Sequence, residues 1–429
     1  MTAIDPAPGA ALARRLFADL AERTADPPGV TRKAYGEGER IAFDLAAEAA
    51  AGQGAERRFD AAGNQYLTIP GVDRERALVI GSHLDSVPHG GNYDGAAGVI
   101  AGLALQACLA QAGRTPPVDV TVACLRAEES CWFPHSYIGS KTALGVLDPA
   151  VLDDARRSDT GRSLAWHMAE AGFDPDAVRT GTPGLEADRV VAYLEPHIEQ
   201  APALVSAGTP IGLVTGIRGS FRYREMVCHG EYAHSGAMPR NLRHDAAVAS
   251  AELIVALDDL WARLDKEGRD LSITFGQVGT DPAVHSFSKV AGEVRLCLDV
   301  RSIEPETLDH VETELARMVA EIEQARGVRF TLGPRSGSTP APMAEPLRAL
   351  LGEAATRQGI ETLAMPSGAG HDAATFALAG IPAGMLFIRN THGSHNPDEA
   401  MDMADFDRAV AILAAVMDAP GEAWAGLRG

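Results

Sequence analysis

The residues best suited to chemistry lie in four short segments far apart along the chain. The first is Gly81-Ser-His83-Leu-Asp85-Ser-Val-Pro-His89-Gly-Gly-Asn-Tyr-Asp94-Gly95. His83 offers a neutral imidazole nitrogen to a metal ion. Asp85, two residues on, can hydrogen-bond that imidazole and fix its orientation. Asp94 can bridge two ions with its two oxygens, and Gly90, Gly91 and Gly95 let the loop bend tightly. The second segment is Glu128-Glu129. Adjacent carboxylates repel unless a positive charge lies near; one can bind an ion while the other stays free as a general base. The third is Glu195-Pro-His197-Ile-Glu-Gln200, and the fourth is Gly393-Ser-His395-Asn-Pro-Asp-Glu399. Read singly, each is as readily a polar turn, a solvated charge pair or a satisfied histidine. Together, His83, Asp94, Glu129, His197 and His395 combine nitrogen and oxygen donors in a mix that suits two borderline divalent ions with a water between them.

Such residues need elements that bring them to one place. Apolar runs at 77–81, 118–125, 190–194 and 383–388 read as buried strands, and each is followed by one of the four segments. In open α/β sheets that edge is where sites form. Alanine-rich stretches at 12–25 and 39–51 read as helices. The middle of the chain differs. Strands at 220–229, 271–278, 293–301 and 328–332 and helices at 244–264 and 305–325 follow the order β-α-β-β-α-β, the ferredoxin-like pattern. The expected fold is therefore α/β: a mixed-sheet catalytic domain over 1–212 and 333–429, with an inserted α+β lid over 213–332.

Composition sets the outer bounds. A chain of 429 residues is long enough for two domains, and 46% apolar with 22% charged residues is ordinary for a globular protein. The net charge of -20 speaks against a nucleic-acid footprint, which needs a basic face. Cys108, Cys124, Cys131, Cys228 and Cys297 form no CxxC pair and read as reduced thiols. The first residues lack a basic cluster followed by an apolar core, and no apolar run is long enough to span a bilayer. A cytoplasmic protein acting on a small molecule, with no membrane or nucleic-acid partner, is expected.

In this order, with a domain inserted after the third, the four segments resemble the M20 family of metallopeptidases and amidohydrolases. The His in EPHIEQ and the run GSHLDSVPHGGNYDG are similar to its carbamoylase branch: N-carbamoyl-L-amino acid hydrolases, β-ureidopropionases and allantoate amidohydrolases. The likeness extends from Gly29-Val-Thr-Arg32 to Glu399. It implies two divalent ions per subunit, zinc foremost, with manganese, cobalt or nickel also accepted by such donors. His83 and His197 would each belong to one or other centre, Asp94 would bridge, and Glu129 and His395 would complete the pair. Glu128 would be the general base and acid, with Asp85, as the partner of His83, counted beside it among the catalytic residues. His234, in Ala233-His234-Ser-Gly236, matches a histidine that reaches a partner subunit's active site and stabilises the transition state. Arg301 matches an arginine that binds the substrate carboxylate, and Gln200, Ser288 and Gly368 fall at substrate-side positions. The implied reaction is hydrolysis of a linear amide or ureido C–N bond in a small carboxylated substrate by a homodimer joined through the lid. An N-carbamoyl-L-amino acid is the first expectation; allantoate, another ureido acid, or an aminoacylase- or dipeptidase-like amide is the alternative.

The departures fall on the substrate side. The family's Glu-Glu-Gly-Ser-Arg-Phe is Glu128-Glu-Ser-Cys131-Trp132-Phe133 here, and its Asn-Val-Ile-Pro-Gly is Ser288-Lys-Val-Ala-Gly292. The family's Asn helps hold substrate, so Ser288 alters a recognition position. Cys131 and Trp132 are read either as pocket lining or as inert packing.

Overall fold

The computed structural model describes residues 3–419 and Leu427. The chain divides into two compact units, Met1–Thr215 with Pro342–Gly429, and Gly216–Ala341.

The first unit is built on a nine-stranded mixed sheet. Its centre is four parallel strands in the spatial order Val118–Leu125, Asp73–His83, Val190–Ile198, Ala383–Ile388. Antiparallel strands flank them: Gln65–Ile69 and Glu56–Phe59 on one side, Ile211–Ile217 on the other. Val118–Leu125 is buried along its whole length, as expected of a strand covered on both faces. The one acid inside it, Asp119, is satisfied by the Gly71 N–H at 2.8 Å and Arg74 at 3.0 Å. Helix Ala96–Gln111 is apolar almost all round and correspondingly buried. It packs on the sheet beneath helices Ala7–Arg23, Glu37–Ala51 and Met403–Val416. Buried side chains of this core, such as Ile80, Leu103 and Val122, stabilise the fold by roughly 1.5–3 kcal/mol each.

Two boundaries differ from the sequence reading in ways that matter below. The strand expected at 190–194 runs to Ile198, passing through Pro196 beside Leu386, so Glu195 and His197 lie within it, not past its end. The first helix starts at Ala7, because Pro8 falls in the first turn, where its missing N–H needs no partner.

The second unit carries its own core. Its main strands lie in the order Ser272–Thr274, Glu293–Ser302, Gly219–His229, Arg329–Thr331, all antiparallel. Along Glu293–Ser302 the side chains alternate: Val294, Leu296, Leu298 and Val300 are buried, while Arg295, Asp299 and Arg301 are more exposed. Helices Ala246–Lys266 and Pro305–Arg326 cover the apolar face with Leu253, Leu257, Val311 and Leu315. The Asp245 carboxylate caps the first of them at the N–H groups of Ala247 and Val248. The strand expected at 271–278 breaks into Ser272–Thr274 and Val278–Gly279. The return to the first unit falls at 341/342, not at 332/333, because Arg335–Ser338 adds a further strand against Gly219–His229. Among the described residues no helix is long and apolar enough to cross a membrane.

Candidate metal centre

His83 is the last residue of Asp73–His83, and His197 sits near the end of the neighbouring parallel strand. Each imidazole is oriented by a backbone carbonyl: His83 Nδ1 lies 2.9 Å from the Asp85 oxygen, and His197 Nδ1 lies 2.9 Å from the Ile198 oxygen. A proton on Nδ1 in each ring leaves the Nε2 lone pair as the free donor. The Gly95 N–H, 3.1 Å from His197 Nε2, agrees with that assignment.

Those two Nε2 atoms face one oxygen of Asp94, Oδ1, at 3.5 Å for His83 and 3.2 Å for His197. The other oxygen, Oδ2, lies 3.4 Å from His395 Nε2, which in turn lies 3.3 Å from Glu129 Oε1. Asp94 thus divides its oxygens between two groups, His83–Asp94–His197 and Asp94–Glu129–His395, whose donor atoms within each group lie within 4.8 Å of one another. Both histidines of the first group fall on the same side of Asp94. Glu128 belongs to neither group, yet its Oε2 stands 3.9 Å from His83 Nε2.

The local backbone explains the convergence. Gly95 holds φ 66°, and a Cβ there would come within 2.5 Å of the His83 ring. Only glycine fits between Asp94 and the helix that follows. Asp85 plays a different part from the one expected. The Asp85 carbonyl, not its carboxylate, makes the hydrogen bond to His83; the nearer carboxylate oxygen is 3.5 Å away. The carboxylate instead accepts the backbone N–H groups of Glu128 and Glu129, both at 3.2 Å. It sets the turn that aims the two glutamates apart, just after Ala127 at φ 53°.

The electrostatics ask for positive charge here. Burial opposes protonation of His83, yet Asp85 and Asp94 hold its pKa well above the ordinary imidazole value. Asp94 and Glu129 push His395 up to about 10. Burial works against the Asp94 carboxylate, but His197, His395 and His83 hold its pKa well below the usual range. Burial drives Glu128 well above that range; His83 opposes this, while Glu129, Asp372 and Asp85 add to it. Glu129 Oε1 is buried and accepts no hydrogen bond among the described residues. Imidazole nitrogens set 3.2–3.5 Å from buried carboxylate oxygens in two groups that share Asp94 form an environment that a divalent cation completes by taking the place of the imidazole protons. The residues present fit two such ions.

Several supporting residues escaped the sequence reading. Glu399 Oε1 accepts the N–H groups of Tyr93 at 2.8 Å and Asp94 at 3.2 Å, and its Oε2 takes the Ser394 hydroxyl. Glu195 accepts Ser82 Oγ and the Ala373 N–H, each at 2.7 Å. Asn390 accepts the Gln200 N–H at 2.9 Å. The signal was present: Glu195 stands two residues before His197 and Glu399 four after His395. Gln200, expected on the substrate side, donates its amide to Asp94 Oδ2 at 2.7 Å and so touches the bridging carboxylate. Gly368 lies in an exposed bend after Thr362–Ser367. Trp132 is buried, and its indole N–H donates to the Ser86 carbonyl at 2.7 Å, bracing the loop between His83 and Asp94. Cys131 is exposed and makes no disulfide.

The remaining expected residues lie in the second unit. His234 and Ser288 neighbour one another through the short pairing of Ala233–His234 with Lys289–Val290, where the Ser235 N–H meets the Ser288 carbonyl at 2.9 Å. His234 Nδ1 accepts the N–H groups of Gly236 and Ala237 at 3.1 and 3.2 Å, which places its proton on Nε2. Arg301 reaches Asp299 at 2.8 Å through Nη2, and Arg222 Nε lies 3.2 Å from the same carboxylate.

A mixed α/β sheet that gathers His and carboxylate donors into two groups sharing one aspartate is the fold and candidate site of a metal-dependent hydrolase. The chain belongs to the peptidase family M20/M25/M40, whose model matches residues 79–419. It is 34% identical over 374 residues to an N-carbamoyl-L-amino acid amidohydrolase of Geobacillus stearothermophilus, covering 86% of this chain and 88% of that one. It is 32% identical over 364 residues to an allantoate amidohydrolase of Bacillus subtilis, covering 84% and 85%. A crystal structure of a hydantoinase/carbamoylase family amidase from Burkholderia ambifaria superposes with a TM-score of 0.84 at 31% identity, over 97% of this chain and 96% of that one.

Proposed function

We propose that the protein hydrolyses the ureido C–N bond of an N-carbamoyl-L-amino acid, giving the amino acid, ammonia and carbon dioxide. The observation that carries this reading is the division of Asp94 between two donor groups, with Glu128 beside His83 of the first and part of neither. Two divalent cations held there, zinc foremost and manganese, cobalt or nickel as alternatives, would supply the Lewis acidity that activates water near neutral pH and polarises the scissile carbonyl. Glu128 takes the proton of the attacking water and returns it to the departing nitrogen. Asp85 keeps Glu128 and Glu129 aimed at their separate tasks through the backbone. His234, supplied by the partner chain of a homodimer, donates from Nε2 to the carbonyl oxygen as it becomes tetrahedral. Arg301 grips the substrate carboxylate with its guanidinium fork, with Asp299 fixing its orientation. In this reading the second unit serves recognition and dimerisation, Ser288 and Gly368 contact substrate, and the enzyme works in the cytoplasm.

Hydrolysis of allantoate or another ureido acid is the second reading, favoured by the near-equal identity to the Bacillus subtilis relative. Ammonia release from metal-loaded protein, measured side by side on N-carbamoyl amino acids and allantoate, separates the two. Glu128→Gln should retain two ions by elemental analysis and lose about 10²–10⁴ in turnover on the better substrate. Near-normal turnover would remove Glu128 from its role.

A further inference from the structure

Gly29-Val-Thr-Arg32 is part of the sequence that the chemistry described so far leaves without a task. The structure binds it to the metal-site loop. Val30 and Gly90 exchange backbone hydrogen bonds at 3.0 and 2.9 Å, the Ser86 N–H donates to the Arg32 carbonyl at 2.9 Å, and the Arg32 N–H donates to Ser86 Oγ at 3.0 Å. The Arg32 side chain is wholly buried. Its Nε donates to the Leu84 carbonyl at 2.7 Å, Nη1 reaches Asn92 Oδ1 at 3.4 Å, and Nη2 has no hydrogen-bond partner among the described residues.

A buried guanidinium bonded only to neutral acceptors is strongly unfavourable unless anions nearby offset it. The carboxylates whose fields act on Arg32 are, in decreasing order, Glu399, Asp94, Asp85 and Glu129. Two of these are candidate metal ligands and two hold the ligands' backbone. Around them Asp85, Asp94, Glu128, Glu129, Glu195, Asp372 and Glu399 are all buried. Leu84 lies between His83 and Asp85, and Asn92 lies two residues before Asp94, so the hydrogen bonds to these two residues anchor the guanidinium within this group. Arg32 remains cationic even though burial lowers its pKa to about 10.

We infer that Arg32 is a built-in countercation of the metal centre: it holds the buried carboxylates together when the cations are away and so keeps the site assembled to receive them. The inference rests on the dinuclear reading above. Arg32 acts through the carboxylates and the His83–Asp94 loop, and is a positioning residue.

Thermal unfolding of the full chain, with chelator and with saturating zinc, tests this for the wild type, Arg32→Gln and Arg32→Lys, with bound zinc counted in each. If charge is what Arg32 supplies, Arg32→Gln lowers the metal-free midpoint more than the loaded one, and the gap between them widens by about 5 °C or more. Arg32→Lys keeps the charge but not the Leu84 contact, so its two midpoints fall together and its gap stays near that of the wild type. A residue that merely packs would lower both midpoints equally in Arg32→Gln, and that result overturns the inference. So does a gap in Arg32→Lys as wide as in Arg32→Gln. If Arg32→Gln does not fold in either condition, the gap in Arg32→Lys decides alone. A wild type that binds no zinc and shows no gap removes the metal centre itself, whereas two bound ions with an unchanged gap in Arg32→Gln remove only the role of Arg32.

Discussion

The two units treat their polar residues in opposite ways. In the first, His83 and His197 stand on central strands, Glu129 follows one, and the acids among the candidate ligands are buried, with His395 alone of the five on an exposed loop. Both strand-borne imidazoles are turned by a backbone carbonyl, and Asp85, Glu195 and Glu399 each accept at least one backbone N–H. In the second, His234 sits on a two-residue strand and is exposed, as is Ser288. Phe287, beside Ser288, is fully exposed at 106%. The candidate chemical groups of the first unit are fixed by buried hydrogen bonds, whereas His234 and Ser288 of the second lie on exposed segments, which suits the recognition role proposed for that unit.

The comparison is tested most severely at Gly95. An alanine there must adopt φ 66° and bring its Cβ within 2.5 Å of the His83 ring. The backbone strain alone is about 1–3 kcal/mol, and the ring has no open space to retreat into. Gly95→Ala should lose the ion held by His83 and His197, leave at most one ion per chain by elemental analysis, and fall at least roughly a hundredfold in turnover. Two tightly held ions in this variant would show that the first unit is less rigidly determined than its packing says.

A smaller and different effect is expected from the second unit. Arg301→Lys retains the charge but loses the fork that Asp299 fixes. KM should rise by about 10–100-fold, with kcat changed by no more than about threefold and metal content unchanged. A fall in kcat at constant KM would place Arg301 in the chemistry and erase the contrast between the units.

The same contrast governs what the sequence disclosed. That His83, Asp94, Glu129, His197 and His395 come together was legible because the segments that carry them follow or close apolar runs long enough to be read as strands. The strand 118–125 and the strand 383–388 were read to the residue, since β-branched and apolar side chains buried on both faces leave no ambiguity of period. The end of Val190–Ile198 was not, because proline signals a stop and Pro196 is instead carried within a central strand. The task of Asp85 was misjudged for another reason. A carboxylate two residues from a histidine looks like its partner, and only the fold reveals that a backbone carbonyl takes that place while the carboxylate turns toward residues 43 and 44 positions away. Arg32 was beyond reach for the same reason, since its partners are remote in sequence and mostly backbone atoms; Glu195 and Glu399 stood close to His197 and His395 in sequence, but what they hold, the Ser82 hydroxyl and the N–H groups of Ala373, Tyr93 and Asp94, is just as remote.

Trp132 offers the finest probe of how the first unit is supported. It departs from the family's arginine, yet it is buried and donates to the Ser86 carbonyl, in the loop between His83 and Asp94. Trp132→Phe keeps an aromatic ring in the cluster with Tyr35 and Phe133 but deprives a buried carbonyl of its donor. The cost should be about 1–2 kcal/mol, seen as a lower unfolding midpoint. Because the lost bond braces the loop that carries Asp94, zinc affinity measured by competition with a chelator should fall severalfold, while turnover per loaded site stays near that of the wild type. If affinity holds and turnover per loaded site drops, the indole acts on the substrate, and the line between a rigid chemical unit and an adaptable recognition unit runs through residues 130–132 instead of between the two units.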